Sequence, residues 1–202
     1  MSSHDKTVLR ASVRARRRAW SESASPEQRG ARASALAEAV LADSDVRRAC
    51  DNGRVVTCYA SLPSEPPTSS LLEALTSAGA RVLLPIVQPE RSLHWAWFSA
   101  QNVLLPAGMG IPEPVGEVVA RDAEGLLALE PAILLIPALA VDQGGARLGQ
   151  GGGYFDTLLS RLPPATDGGP LIVALVGVDE CLALGAIPTE PHDREVDRWV
   201  CG

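Results

Sequence analysis

The sequence predicts an α/β protein in three layers, α/β/α, with helices on both sides of a mostly parallel central sheet. Three observations predict it. Compact apolar runs rich in β-branched residues recur at 54–63, 81–87, 131–142 and 171–178. Segments of helical period lie between them, and Gly, Pro and Ser clusters punctuate the joins. A length of 202 residues fits one core of this class, so a single domain over 1–202 is expected.

The first segment, DKTVLRASVRARRRAW, spaces Val8 and Leu9 with Ala11 or Ser12 for a short amphipathic helix. Its arginines, Arg10, Arg14, Arg16, Arg17 and Arg18, read mostly as a solvated face. In SPEQRGARASALAEAVLAD, Ser25 as N-cap, Pro26 at the first helical position and Gln28 two residues on form a capping box. Ala33, Leu36, Ala37, Val40 and Leu41 then make one apolar stripe. RVVTCYASLP, residues 54–63, reads as a buried strand stopped by Pro63. SSLLEALTSAGA follows as a helix with Ser70 and Glu73 in capping register and Gly79 at its end, and RVLLPIV returns as a strand. A strand, helix, strand unit of this kind makes its two strands parallel, in a Rossmann-like arrangement.

The middle is less regular. SLHWAWFSA suits an aromatic-rich strand in which His94 packs or lies at an edge, and PAGMGIPEPVG reads as an ordered loop. PAILLIPALAVD then reads as one continuous apolar strand. After a glycine-rich stretch, Phe155, Leu158, Leu159 and Leu162 give the next helix its inner face, and LIVALVGV supplies a last strand. No internal repeat is present.

Composition narrows the function. A net charge of -6 and pI near 5.1 leave no global positive field for nucleic acid or an anionic membrane, so any anionic ligand must be held by local cations. The Arg-rich start lacks the apolar core of a secretory signal, and the longest apolar run is half the ~20 residues of a membrane span. A cytoplasmic protein is expected. Cys50, Cys58, Cys181 and Cys201 show no metal-like spacing and read as reduced thiols, with Cys58 packed in the core.

The chemistry concentrates in GGARLGQGGGYFD, residues 144–156, where six of ten positions from 144 to 153 are glycine. Placed between a buried strand and a helix, its amides can converge on a phosphate. Neither a Walker A motif nor a G-x-G-x-x-G fingerprint is present: Gln150 and Gly151 stand where Lys and Ser/Thr would be. A flexible linker is disfavoured by Arg147, Tyr154 and Asp156 embedded in it. Arg147 and Lys6, the one lysine beside 17 arginines, are candidate phosphate cations. Asp156, in the first turn of the next helix, suits either the helix dipole or Mg²⁺; Asp193 and Asp197 lie in the polar tail PTEPHDREVD. Glu65 follows the first strand as the glycine loop follows its own, which puts both on one sheet edge.

The stretches RLGQGGGYFD, YASLPSEPPT, GMGIPEP, PHDREVD and the N-terminal KTVLR occur in an order and spacing that resemble the 5-formyltetrahydrofolate cyclo-ligase family over nearly the whole chain. The resemblance implies an α/β/α enzyme that converts 5-formyltetrahydrofolate to 5,10-methenyltetrahydrofolate, with ATP as co-substrate and Mg²⁺ as cofactor. It implies ATP contacts from Lys6, Thr7, Val8, Leu9 and Arg10, and from Arg147, Leu148, Gly149, Gln150, Gly151, Gly152, Gly153, Tyr154 and Phe155. Lys6 and Arg147 are the implied catalytic cations. Folate contacts are implied for Arg10, Ala60, Glu65, Gln150, Gly151, Gly152, Gly153 and Tyr154, and Mg²⁺ ligation for Asp156 and Asp193. Small-molecule substrates, a monomer and no nucleophilic Ser, Cys or His are expected.

The chain departs from the family pattern at Gln150, Phe155, Thr157, Pro66 and Pro67. A non-catalytic nucleotide- or folate-binding module on the same fold is the alternative; an oxidoreductase is disfavoured by the missing fingerprint.

Overall fold

The computed structural model describes residues 3–101, 103–190 and 193–202, which leaves Pro191 and His192 of the PHDREVD stretch outside the described residues. The chain opens with three helices, α1 (Ser3–Ser23), α2 (Pro26–Ala42) and α3 (Ser44–Asp51). There follow β1 (Val55–Thr57), α4 (Ser69–Ser77), β2 (Arg81–Val87), β3 (Leu93–Trp97), β4 (Leu104–Pro106), β5 (Pro112–Pro114) and β6 (Val118–Ala120). The second half runs α5 (Ala123–Ala128), β7 (Pro131–Pro137), β8 (Ala140–Asp142), β9 (Arg147–Leu148), α6 (Tyr154–Leu159), β10 (Leu171–Val176), β11 (Cys181–Leu182) and β12 (Arg198–Cys201).

Seven strands form the central sheet in the order β12-β10-β7-β1-β2-β3-β6. The five from β12 to β2 run parallel, and β3 and β6 add an antiparallel edge. The unbroken apolar runs are explained by burial on both faces. Along β7, Ile133 and Leu135 pack into the cluster containing Leu36, Val46 and Leu71 of α2, α3 and α4. Leu134 and Ile136 point the other way, to Leu126 of α5 and Leu158 of α6. The period of two in one strand thus defines the three layers.

Topology determines where a site can form. β1 leads through α4 to β2 on one side, whereas β7 leads through α6 to β10 on the other. The sheet reverses direction of growth between β1 and β7, and a crevice opens at the carboxyl ends of such strands.

Several expectations are corrected. The strand expected over 54–63 keeps sheet pairing only over Val55–Thr57, because Thr68 takes over the backbone beyond it: its Oγ1 donates to Tyr59 O (2.6 Å) and accepts from Ser61 N (3.0 Å). Thr68, not Ser70, is therefore the N-cap residue of α4, and its side chain makes no cap bond. The capping box of Ser25 and Gln28 is present on α2, and Gly79 ends α4 with φ +98°. The stretch expected as a loop around 106–116 carries the hairpin β4–β5. The run 131–142 is two strands. It leaves the main sheet after Pro137, which has no N–H to extend a ladder, and Ala140–Asp142 joins a three-stranded sheet with β9 and β11. On α1 the buried stripe is Lys6, Val13 and Arg17, with Leu9 packed beside Val13, while Val8 is 57% exposed. Finally, Cys181 and Cys201 are joined as a disulfide and only Cys50 and Cys58 are free thiols. Their separation of 20 residues carries no spacing signal; it is the neighbouring positions of β11 and β12 that bring them together. Among the described residues no helix is long and apolar enough to cross a membrane.

Candidate functional site

A cavity of about 670 Å³ lies at the carboxyl ends of β1 and β7. Its walls come from α1, the loop after β1, the antiparallel edge of the sheet and the second half of the glycine stretch.

The six glycines divide into two sets. Gly144 and Gly145 make the turn between β8 and β9, where buried Asp142 organises the backbone. Its Oδ1 accepts from Gly144 N (2.9 Å) and Ala146 N (3.1 Å), and its Oδ2 from Gly185 N (3.0 Å) and Ile187 N (3.4 Å). A Cβ on Gly145, at φ +85°, would lie 2.7 Å from Val196 O. The remaining four, Gly149, Gly151, Gly152 and Gly153, line the cavity. What comes close to this backbone is largely cationic side chain: Arg147 against Gly149, Arg10 against Gly151 and Arg91 against Gly153. Arg91 and its neighbour Glu90 both have φ +59°, a strained conformation for non-glycine residues that no local pattern announces.

Helix α1 grips this loop with two arginines one turn apart and turns a third, Arg17, further into the protein. Arg10 Nε donates to Gly149 O (3.0 Å), Arg14 donates to Gln150 through Nη2 to its carbonyl and Nε to its Oε1, and Arg17 lies deeper. The expected solvated face is thus wrong for Arg17, which is 5% exposed. Its Nε and Nη2 donate to Glu180 (2.7 and 2.6 Å), and Nη2 also donates to Ala138 O (2.6 Å). The signal for this was the spacing of 10, 14 and 17, one face of a helix. Gln150 then reaches across the cavity, where its Nε2 donates to Glu65 Oε1 at 3.2 Å. Glu65, 7% exposed, is fixed from behind by Leu62 N on Oε2 (2.9 Å).

The expected site residues fall into two places. Ala60, Glu65, Arg147, Gly149 to Phe155 and Asp156 line the one cavity, together with Tyr59, Arg14, Arg17 and Arg18, which the sequence did not single out as ligand contacts. Lys6 and Arg10 lie beside it on α1. Thr7 and Val8 are exposed, Leu9 packs against the Val13 cluster and Leu148 is fully buried. Asp197 lies apart from them, with its Oδ2 accepting from Ile172 N (2.8 Å).

The cations and carboxylates are already paired. Lys6 Nζ donates to Asp193 Oδ2 at 2.5 Å, and Arg147 Nη2 to Asp156 Oδ1. The Arg147 side chain is 4% exposed; burial pulls its guanidinium below the ordinary arginine range, and the charges of Asp156 and Asp193 oppose that pull. Among the described residues no cluster of three or more His, Cys, Asp or Glu could hold a metal alone. Two hard carboxylates nevertheless fit Mg²⁺, which characteristically takes one or two carboxylates and completes its shell with water and phosphate oxygens.

Comparison with known proteins agrees with this geometry. The model of the 5-formyltetrahydrofolate cyclo-ligase family matches residues 2–202. A 5-formyltetrahydrofolate cyclo-ligase of Mycolicibacterium smegmatis is 36% identical over 147 residues, 70% of each chain. The fold resembles the solution structure of the Aquifex aeolicus 5,10-methenyltetrahydrofolate synthetase, with a TM-score of 0.70 at 22% identity, covering 97% of this chain and 89% of that one. It also resembles the Mycoplasma pneumoniae 5,10-methenyltetrahydrofolate synthetase, with a TM-score of 0.66 at 16% identity, covering 97% and 98%. With the family matched over residues 2–202 and the glycine loop, Glu65 and the Arg147–Asp156 pair lining one cavity, the chain belongs to the 5-formyltetrahydrofolate cyclo-ligase family.

Proposed function

We propose that this protein is an enzyme that converts 5-formyltetrahydrofolate and ATP to 5,10-methenyltetrahydrofolate, ADP and phosphate in the cytoplasm, acting as a monomer. The observation that carries the reading is the Gln150–Glu65 hydrogen bond, which ties the glycine loop to the acid expected to hold the pterin. Two substrates seated on those groups would meet in one cavity.

In this reading the phosphates of ATP lie along Gly149–Gly153, and Lys6 and Arg147 exchange their carboxylate partners for phosphate oxygens. Asp193 and Asp156 are thereby released to hold Mg²⁺, which when bound supplies positive charge at the phosphates. The formyl oxygen takes the terminal phosphoryl group and becomes a good leaving group. N10 then attacks the formyl carbon; the C–N10 bond forms as the C–O bond breaks, phosphate departs and the N10 proton is lost. The chain contributes position and fixed charge rather than a nucleophile.

The test is to mix the protein with 5-formyltetrahydrofolate and MgATP and follow the methenyl chromophore. Its growth over many turnovers, dependent on ATP, is the expected result, with ¹⁸O from the formyl group recovered in phosphate. Tight binding of both substrates without turnover would favour the non-catalytic module.

A further inference from the structure

The deep end of the cavity holds two polar groups that the glycine loop and Glu65 do not use. Arg17 has Nε and Nη2 committed to Glu180 and Ala138, while its Nη1 is buried without a hydrogen-bond partner. The Tyr59 hydroxyl is likewise buried and unpartnered. Both residues line the cavity, and they are 5% and 4% exposed. An unsatisfied buried polar group is destabilising, so two on residues that line the same cavity call for a ligand that satisfies them.

The chemistry of the pair defines that ligand atom. Nη1 can only donate. The Tyr59 phenol is held well above its usual pKa, first by burial and then by the charge of Glu65, so it keeps its proton and donates too. The ligand therefore presents an acceptor. Its charge follows from Glu180, whose two oxygens already neutralise Arg17: an anion at Nη1 would face a carboxylate that it repels, whereas an uncharged carbonyl oxygen would not. One edge of a pterin ring presents an amino group, a ring N–H and a carbonyl in succession. Glu65 can serve the first two, and the third needs a donor.

We propose that Arg17 Nη1 and Tyr59 Oη together hold the ring carbonyl oxygen of the reduced pterin, next to Glu65, and so select an oxo ring over an amino ring. This rests on the folate reading above.

Calorimetric titration of wild type, Tyr59→Phe and Arg17→Lys tests it, with 5-formyltetrahydrofolate and with the analogue that carries an amino group in place of that carbonyl. Wild type is expected to prefer the oxo ligand. Tyr59→Phe is expected to weaken the oxo ligand about 3- to 10-fold, the scale of one hydrogen bond, with the amino analogue unaffected and the melting temperature of the free protein not lowered. Arg17→Lys, which keeps a cation for Glu180, is expected to show the same selective loss. Unchanged oxo affinity in Tyr59→Phe, or a lower melting temperature with affinity intact, would overturn the proposal while leaving an active wild type and the folate reading in place. A wild type that neither binds nor converts the folate would overturn both.

Discussion

The two halves of the glycine stretch have the same composition and opposite surroundings. Gly144 and Gly145 are held by the protein's own frame: Asp142 and Leu184 against the first, the Val196 carbonyl against the buried second. Gly149 to Gly153 instead meet side chains of Arg10, Arg91, Arg147 and Tyr154, with no backbone of another segment against them. In the first half Gly145 is glycine because backbone meets backbone, and Gly144 because the Leu184 and Asp142 side chains crowd it. In the second, glycine leaves amides and arginines facing a common space. A glycine-rich run is thus two signals that only the surrounding contacts separate.

The largest expected effect tests the frame. Asp142→Ala strips the buried acceptor shared by four amides, two in the β8–β9 turn and two in the 185–187 loop, and unfolding free energy in urea should fall by about 3–5 kcal/mol. A variant of normal stability would place Asp142 outside the frame and break the division.

Next comes the other half. Arg147→Met removes a buried cation whose partner Asp156 has a side chain 47% exposed, so stability should change little. If Arg147 stabilises phosphate, kcat/KM for ATP should drop on the order of 10²-fold. Loss of stability with normal kinetics would make Arg147 part of the frame.

The smallest effects are the sharpest, because they exchange one hydrogen for a methyl group in each half. Gly145→Ala meets both positive φ and a backbone oxygen at 2.7 Å, and should lose about 1–3 kcal/mol of stability with its KM values kept. Gly149→Ala meets only Arg147 Nη1, at 2.8 Å, and should keep its melting temperature while losing about 10-fold in kcat through the displaced guanidinium. If the two variants exchanged phenotypes, the comparison would be reversed.

Legibility in the sequence followed the range of the interaction. The capping box of Ser25 and Gln28 spans four residues and was readable, as was the burial of β7 on both faces, since a run apolar at every position fits a strand covered on both sides. Ser70 was read as a cap because the competing use of Thr68, nine residues from the Tyr59 carbonyl it holds, leaves no local trace. The burial of Arg17, within a run whose arginines suit mostly a solvated face, is hidden for a stronger version of the same reason: its partner Glu180 is 163 positions away. Motif order placed Glu65 and Gly149 to Tyr154 at one cavity, while the floor made by Tyr59 and Arg17 depends on contacts that no short pattern records.

The grip of α1 on the rest of the protein has a consequence for biosynthesis. Lys6 and Asp193 are 187 positions apart, and Arg10 and Gly149 are 139 apart. After its synthesis α1 therefore waits for some 140 to 190 further residues before its partners exist, roughly 10–40 s at ordinary elongation rates of about 5–20 residues per second. During that interval Val13, fully buried in the finished protein against Leu139, Leu148 and Ile187, has no permanent cover, and α1 is exposed to chaperones and proteases. A polypeptide released before residue 180 lacks the carboxylate that orients Arg17 and cannot close the cavity wall, so premature termination yields inert chains rather than partly active ones.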